Sequence, residues 1–283
     1  MEKGIILEAR AAVCDSAHNL IVDLPCADGI IYRENCAVGI SDGSTRDIAI
    51  ISRVNKIVCF KVIKIVSAEN GKITVELSRA AAQKECISNY IDTLSLGDVI
   101  ETRITHLEQF GCFVDIGCGI PSLIPIDSIS VSRISHPSDR FVVGQYIRAV
   151  VRSREGTRIC LTHKELLGTW LENAAVFETG ETVSGIVRSV ENYGIFVELA
   201  PNLAGLAEIR GDIRPGQNVS VYIKAIIPEK MKIKLVIVDI CDDCTPDKNI
   251  KYYTDATHLN FWNYAPECSG KTICSDFTEN KSV

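Results

Sequence analysis

The sequence lacks an apolar run of about 18 residues, the length that a membrane-spanning helix needs, and this excludes an integral membrane protein with such helices. An acid, Glu8, stands where a secretion signal needs an unbroken apolar core, so we expect no such signal. Basic residues are not in excess either, because 30 Lys and Arg stand against 36 Asp and Glu for a net charge of −6. A polybasic binder is therefore excluded, and any contact with nucleic acid must use local basic patches.

Sequence patterns that carry chemistry are also missing. The chain shows no phosphate-binding glycine loop, dinucleotide fingerprint or nucleophile elbow. Acidic residues are not clustered as a two-metal nuclease requires. We therefore expect a protein that is not an enzyme and that uses no cofactor.

The cysteines are numerous but scattered. Twelve in 283 residues is below the density of a disulfide scaffold, so we predict reduced thiols and a cytoplasmic protein. Four thiols near the C-terminus raise the alternative of a zinc site. The last two are separated by five residues and no aromatic-glycine knuckle accompanies them, so we predict no metal there and poor packing over 245–283. The four are Cys241, Cys244, Cys268 and Cys274.

An internal repeat organises most of the chain. At an offset of 83 residues, the segment from Phe110 to Ile116 aligns with the segment from Tyr193 to Leu199. Both read as an aromatic, a glycine, a second aromatic, a branched apolar residue, an acid and another apolar residue. A more diverged copy precedes them, so the chain contains three repeat units.

Each unit alternates polar and apolar residues in short runs bounded by glycine, which is typical of half-buried strands. Four or five strands in roughly 65 residues fit a small closed barrel. Between the second and third units, apolar residues at helical spacing predict a helix over 164–177, with Trp170 as its anchor. The sequence thus predicts an all-β protein with three tandem five-stranded barrels, short linking helices and a C-terminal tail. The predicted boundaries are 1–90, 94–166, 167–177 for the linker helix, 178–240, and 241–283 for the tail.

Strand alternation also predicts which side chains point outward. In the second unit, Ile147, Ala149 and Val151 face the core and leave Arg148, Val150 and Arg152 outside. Aromatic and basic side chains on one barrel face are what single-stranded nucleic acid requires, since bases stack on rings and cations meet phosphates. The alternative for each aromatic is ordinary core packing. The predicted RNA-binding residues are Phe110, Phe113, Arg148, Arg152, Arg158, Tyr193, Phe196, Tyr222, Lys224, Lys232, Lys61 and Lys72.

These motifs resemble the S1-type RNA-binding repeat, a five-stranded OB barrel found in bacterial ribosomal proteins. The third unit is most similar, through Val183 to Val187, Tyr193 to Glu198 and Gly205 to Glu208. The histidine on the RNA-binding face of that family is replaced by Pro125, Glu208 and Tyr32 in the second, third and first units. Glu208 would repel phosphate, so we expect weak binding by a single barrel and useful binding by linked barrels.

The resemblance implies a function in RNA metabolism. We expect binding to single-stranded mRNA and assistance to translation in association with the small ribosomal subunit. Two alternatives stay open at this point. The same barrels could regulate RNA stability or transcription away from the ribosome, or the diverged barrels could dock protein partners as an adaptor without RNA. We expect no membrane and no small-molecule substrate as partners.

Overall fold

The computed structural model describes residues 4–25, 27–67, 73–156, 158–241 and 250–278. It contains three closed five-stranded barrels and one two-stranded sheet, which confirms the all-β prediction and the barrel architecture. The chain divides into two compact units. The first comprises Met1–Leu94 with Asp115–Pro121, and the second comprises Ser95–Val114 with Ser122–Val283.

In the first barrel the five strands, counted along the chain, lie in the order first, second, third, fifth, fourth, and of the neighbouring pairs only the third and fifth run parallel. Its core contains Leu20, Ile31 and Phe60, all at most 1% exposed. Ser78 caps the helix that follows the last strand, because its side chain accepts a hydrogen bond from Ala81 N at 3.0 Å. The elements are β1 (Ile6–Cys14), β2 (Leu20–Leu24), β3 (Ala27–Ile31), α1 (Ile48–Ile51), β4 (Ile57–Ser67), β5 (Ile73–Ser78) and α2 (Arg79–Asn89).

The second and third barrels repeat this topology. In each of them the third and fifth strands run parallel to each other, whereas the fourth strand pairs antiparallel with the first and with the fifth. The second barrel consists of β6 (Val99–Glu108), β7 (Gly111–Asp115), β8 (Pro121–Pro125), β9 (Tyr146–Glu155) and β10 (Arg158–Thr162). The third consists of β11 (Thr182–Glu191), β12 (Gly194–Ala200), β13 (Leu203–Ala207), β14 (Asn218–Ile227) and β15 (Lys232–Ile240).

Residue alternation fills the barrel interiors as the sequence predicts. Val219, Val221 and Ile223 of β14 are fully buried, whereas Tyr222 and Lys224 between and beyond them are exposed. In β9, Ile147, Ala149 and Val151 are likewise buried. Val150 is the exception, because this outward residue is also fully buried.

The connector between the second and third barrels is shorter than predicted. A 3₁₀ turn over Lys164–Leu167 ends at Gly168, and α3 covers only Trp170–Ala174. Gly168 adopts φ 82° and ψ 166°, which interrupts the helix. Trp170 is 2% exposed and packs with the core of the third barrel, so its predicted role as an anchor is confirmed.

The C-terminal segment, residues 250–278, packs on the second unit. It contains β16 (Phe261–Asn263) and β17 (Cys274–Asp276), which pair antiparallel. Trp262, Tyr264 and Phe277 are at most 7% exposed. The prediction that this part of the chain is poorly packed is therefore wrong for residues 250–278.

Asn202 joins several chain connections inside the second unit. Its side-chain oxygen accepts a hydrogen bond from Val131 N at 2.9 Å. Its side-chain nitrogen donates to Lys164 O at 2.8 Å and to Gly168 O at 2.9 Å, while its carbonyl accepts from the Tyr264 hydroxyl. Asn202 itself is fully buried, and these bonds satisfy its polar atoms.

The remaining helical elements are short. Within the described ranges, no helix is long and apolar enough to cross a membrane. The 3₁₀ turns are Arg33–Asn35, Ile91–Thr93, Ile126–Ser128, Pro137–Asp139, Lys164–Leu167 and Pro228–Lys230.

Candidate nucleic-acid interface

The third barrel carries an exposed aromatic pair. Tyr193 lies in the turn before β12 and Phe196 lies on that strand, with ring centroids 6.1 Å apart and ring planes at 88°. Tyr193 is 65% exposed. Gly194 between them lets β12 approach β13, since a Cβ at this position would lie 2.8 Å from Ala207 O. The aromatic-glycine motif therefore brings two rings to the barrel surface at a place where the backbones are too close for a side chain.

The second barrel repeats this arrangement. The ring centroids of Phe110 and Phe113 are 6.0 Å apart, again with an interplanar angle of 88°. Phe110 is 55% exposed, and a Cβ at Gly111 would lie 2.4 Å from Ile124 O. The two pairs thus share one geometry, in which neither ring of the pair is in the barrel core.

Basic side chains lie beside the aromatic pair of the third barrel. Phe196 pairs with Leu206 across β12 and β13, and Leu206 pairs with Lys234 across β13 and β15. Neighbouring strands are about 4.8 Å apart, so the backbone of Lys234 lies about 10 Å from that of Phe196 on the same outward row. Lys232 shares this face two residues earlier on β15. The sequence reasoning missed Lys234, because its position beside Phe196 depends on the parallel pairing of β13 with β15.

Strand β14 extends the basic surface. Lys224 occupies an irregularity in the pairing, between Ile223 opposite Leu235 and Ala225 opposite Lys234. It is therefore a neighbour of Lys234 on the outside of the barrel. Tyr222 pairs with the outward residue Val236 and is 39% exposed. We call Tyr193, Phe196, Tyr222, Lys224, Lys232 and Lys234 the third-barrel face.

The second barrel has fewer cations in the equivalent positions. Leu123 on β8 pairs with Cys160 on β10, so a half-buried thiol occupies the row that holds Lys234 in the third barrel. Arg158, two residues earlier, is exposed. Arg152 on β9 is also exposed, and its guanidinium donates a hydrogen bond to Ser128 Oγ at 2.6 Å. Phe110, Phe113, Arg152 and Arg158 form what we call the second-barrel face.

Contrary to the prediction, the guanidinium of Arg148 is hydrogen-bonded within the protein. Its two terminal nitrogens donate to the carbonyl oxygens of Thr254 and Ala256, each at 2.7 Å. The guanidinium also lies 5.5 Å from the centroid of the Tyr252 ring, a cation–π distance. Because the C-terminal segment occupies the donors of Arg148, this residue is removed from the candidate interface.

The first barrel offers a weaker candidate surface. Lys61 on β4 forms an ion pair with Glu85 of α2, so its charge is already compensated. Lys72 lies outside the described residues. Tyr32, which stands where the S1-type repeat has a histidine, is 39% exposed. No paired aromatic motif occurs at the equivalent segment around His18.

The acid that follows the second aromatic has a structural role in both barrels. Glu198 is 5% exposed and accepts hydrogen bonds from Arg188 at 2.7 and 3.2 Å, and Arg140 pairs with the same carboxylate. Asp115 accepts hydrogen bonds from Gly117 N at 2.9 Å and Gly119 N at 3.0 Å. This acid therefore holds the fold and does not face a phosphate.

The cysteines predicted near the C-terminus are not equivalent. Cys241 is disulfide-bonded, contrary to the expectation of reduced thiols throughout. Cys268 and Cys274 are free and exposed, and Cys244 lies outside the described residues. In the part of the chain that the structure describes, no group of three or more His, Cys, Asp or Glu side chains is arranged to hold a metal ion.

Comparison with known proteins bears on these barrels. Residues 93–164 match the S1 RNA binding domain family, which confirms for this segment the resemblance seen in the sequence. The chain is 32% identical over 193 residues to the small ribosomal subunit protein bS1 of Staphylococcus aureus (strain COL), an alignment that covers 62% of this chain and 49% of that protein. The bS1 protein of Staphylococcus epidermidis is 31% identical over 193 residues, with the same coverage of 62% and 49%. The chain thus spans about half the length of the relatives it matches.

Solved structures give a looser likeness. A multidomain protein with nucleic acid binding domains from Streptococcus pneumoniae is 12% identical, with a TM-score of 0.26. The match covers 83% of this chain and 73% of that one.

Proposed function

We propose that this chain binds single-stranded RNA, in particular mRNA, through the faces of its second and third barrels, and that it assists translation in association with the small ribosomal subunit. The observation that carries the proposal is the third-barrel face, where an exposed aromatic pair shares an outward row with Lys234, two strands away. The S1 domain match over 93–164 supports RNA as the ligand. The names of the bS1 relatives support the ribosomal setting.

The physical basis of binding is stacking combined with charge neutralisation. A base stacked on an aromatic side chain contributes about 1–3 kcal/mol and tolerates any base, so the proposal implies little sequence preference. Lysines that meet phosphates release counterions, and affinity therefore falls as salt concentration rises. The three lysines of the third-barrel face provide these phosphate contacts, whereas the second-barrel face contributes Arg152 and Arg158.

The proposal assigns the three repeats unequal roles. We divide the chain into repeats over 1–90, 94–166 and 178–240 and attribute most of the RNA affinity to the last two. The first barrel has one described candidate cation, Lys61, and Glu85 compensates it. No catalytic step is assigned, because the two faces present aromatic and basic side chains for binding. A cytoplasmic location follows from the proposed partner.

The test uses the full-length chain and a short fluorescently labelled single-stranded RNA, with binding measured by fluorescence anisotropy. The double variant Tyr193→Ala/Phe196→Ala should weaken binding by about 2–6 kcal/mol if both rings stack on bases. Phe261→Ala is the matched control, since Phe261 is 54% exposed and belongs to neither face. Equal affinities of the double variant and the control would disprove the proposed surface.

A second experiment separates the ribosomal role from the other two functions. Purified small ribosomal subunits are sedimented with the full-length chain, and the protein in the pellet is quantified. Co-sedimentation that the double aromatic variant reduces supports a translational role through RNA. RNA binding without co-sedimentation would favour regulation of RNA stability or transcription. Co-sedimentation unchanged by the variant would favour a protein-docking adaptor.

A further inference from the structure

Three cysteine side chains meet in the first compact unit. Cys59 lies on β4, Cys86 on α2, and Cys118 in the loop between β7 and β8, a loop that belongs to this unit. The Cys118 thiol lies within hydrogen-bonding reach of the thiols of both Cys59 and Cys86. Close packing extends to the preceding residue, since a Cβ on Gly117 would lie 2.9 Å from Cys86 Sγ. The cluster brings three potential nucleophiles together at half-buried positions.

The loop that carries Cys118 is held in place by hydrogen bonds on both of its sides. Within the loop, the Asp115 side chain accepts hydrogen bonds from the backbone nitrogens of Gly117 and Gly119. Gln83 Nε2 donates to Cys118 O at 3.3 Å, and Arg79 Nη2 donates to Gly119 O at 3.2 Å. Cys118 adopts a φ of 50°, in the left-handed region that residues other than glycine rarely occupy. The backbone of Cys118 is therefore held in place by the fold.

The cluster distinguishes one thiol from the other two. Hydrogen bonding from Cys59, and then from Cys86, lowers the pKa of Cys118 to about 7, although burial opposes this shift. The pKa of Cys59 is raised, first by its hydrogen bond with Cys118 and then by burial and Glu8. Burial and the neighbouring Cys118 raise the pKa of Cys86 to about 12. Near neutral pH, a substantial fraction of Cys118 is therefore thiolate, whereas its two neighbours remain protonated.

We propose that Cys118 is a nucleophilic thiol that reacts with hydrogen peroxide and then forms a disulfide bond with Cys59. This assignment is independent of the RNA-binding proposal, because it rests on a different unit and a different chemistry. Cys59 is chosen over Cys86 as the second thiol because a carboxylate lies against its sulfur. Glu8 Oε1 lies 3.2 Å from Cys59 Sγ, and this carboxylate is placed to accept the proton that Cys59 loses.

The chemistry balances in two steps. The Cys118 thiolate attacks one oxygen of the peroxide, the O–O bond breaks, and the departing hydroxide takes up a proton to leave as water. The product is a sulfenic acid on Cys118. The Cys59 sulfur then attacks this sulfur, an S–S bond forms, the S–O bond breaks, and a second water leaves with the proton of Cys59. Two thiols are oxidised by two electrons in total, and one peroxide is reduced to two waters.

The first test measures the reactivity of each cysteine in the full-length protein. Brief labelling with iodoacetamide at neutral pH is followed by peptide mass spectrometry. Cys118 should be labelled roughly fivefold faster than the exposed Cys268, with the rate rising through a midpoint near pH 7. Cys86→Ser should slow the labelling of Cys118 relative to Cys268. Labelling of Cys118 no faster than that of Cys268 would overturn the proposal.

The second test follows the peroxide product by the same mapping. Substoichiometric hydrogen peroxide should give a peptide cross-linked between Cys59 and Cys118, both in the natural chain and in Cys268→Ser. In Cys59→Ser the cross-link should be absent, and a sulfenic acid on Cys118 should be trapped by dimedone. Circular dichroism establishes that this variant is folded, and Cys59→Ala repeats the test with a different side chain. A cross-link between Cys86 and Cys118, or no oxidation of Cys118, would contradict the assignment.

Discussion

The hydroxyl of Tyr252 accepts a hydrogen bond from the backbone nitrogen of Arg148 at 2.9 Å, while the guanidinium of Arg148 lies over the ring of the same tyrosine. One residue of the C-terminal segment thus engages both the backbone and the side chain of an outward position on β9. The neighbouring outward residue Val150 is buried against Leu166 and Phe277, with Tyr252 packed beside them. The second barrel therefore has a second apolar cluster on its outer surface, formed only when the C-terminal segment is in place.

Removing the Tyr252 ring should destabilise the second unit. Tyr252→Ala leaves a cavity beside His163 and Val150, and we expect a loss of about 3 kcal/mol in the free energy of unfolding. Tyr252→Phe removes only the hydrogen bond with Arg148 N and should cost about 1 kcal/mol. Urea unfolding followed by circular dichroism measures both. Equal stabilities of Tyr252→Ala and the surface control Phe261→Ala would show that the segment contributes no packing energy.

His163 should make stability depend on pH. Burial, reinforced by the charge of Arg140, lowers its pKa from 6.5 to about 4, although its hydrogen bond with Ile129 O opposes this shift. Its Nε2 is buried without a hydrogen-bond partner, so the added proton would have no acceptor. The unfolded chain takes up the proton first as pH falls, and stability should decline between pH 6.5 and 4 by about 3 kcal/mol.

A second histidine changes the pH dependence of stability in the opposite direction. The hydrogen bond with Asp98 raises the pKa of His258, so its contribution is present at low pH and is lost as pH rises. The quantity to compare is therefore the difference in stability between the natural chain and His163→Leu at each pH. A difference that stays constant between pH 7 and 4 would contradict the assignment to His163.

The carboxylate of Glu198 should be essential to the junction of the second and third barrels. Arg140 comes from the second barrel and Arg188 from the third, and both pair with Glu198 in a buried position. Glu198→Gln leaves the buried Arg140 without its counter-charge and leaves Arg188 with Asp139 alone, so it should cost about 3 kcal/mol of stability. Glu191→Gln, an exposed position on β11, is the control and should change stability by less than about 0.5 kcal/mol. Thermal unfolding of both variants distinguishes them.

Lys234 should contribute to the salt dependence of RNA binding. If its ammonium meets a phosphate, Lys234→Ala should reduce the slope of log affinity against log salt by roughly one contact, without changing sequence preference. Lys271→Ala is the matched control, because this exposed lysine lies on the C-terminal segment. Anisotropy titrations over a range of salt concentrations give both slopes. An unchanged slope for Lys234→Ala would place the RNA elsewhere.

Glu208 offers a test in the direction of tighter binding. It follows β13 and is exposed, next to the register position of Gly194 and the aromatic pair. Glu208→His removes a negative charge and adds a ring, so affinity for single-stranded RNA should rise roughly threefold. Glu208→Gln, which removes only the charge, should produce a smaller rise. A folded Glu208→His variant with weaker binding would mean that the RNA does not cross this part of the barrel.

The barrels were predictable from the sequence because their determinants are local. Residue alternation places Val219, Val221 and Ile223 inside β14, and the repeat of the aromatic-glycine motif identifies the equivalent turns in two barrels. Gly194 and Gly111 stand where another side chain would collide with the neighbouring strand. Each of these requirements restricts the residue type at its own position, so it can be recognised in the sequence.

The features that the sequence did not reveal depend on contacts between distant segments. Val150 alternates as an outward residue, yet it is buried because residues about 100 positions later pack over it. The same packing removes Arg148 from the solvent-exposed cations. Lys234 becomes a neighbour of Phe196 only through the parallel pairing of β13 and β15, which alternation within one strand cannot indicate.

The hydrogen bonds of Asn202 have a consequence for how the second unit opens in time. The Asn202 side chain is hydrogen-bonded to the backbone at Val131, Lys164 and Gly168. Local opening at any one of these places therefore leaves a buried polar atom unpaired. The amide hydrogen of Val131 bonds to Asn202, and that of Trp170 bonds to Tyr264 O. These two amides lie far apart in sequence, yet they should exchange with deuterium at similar slow rates, as members of a single block that opens all at once.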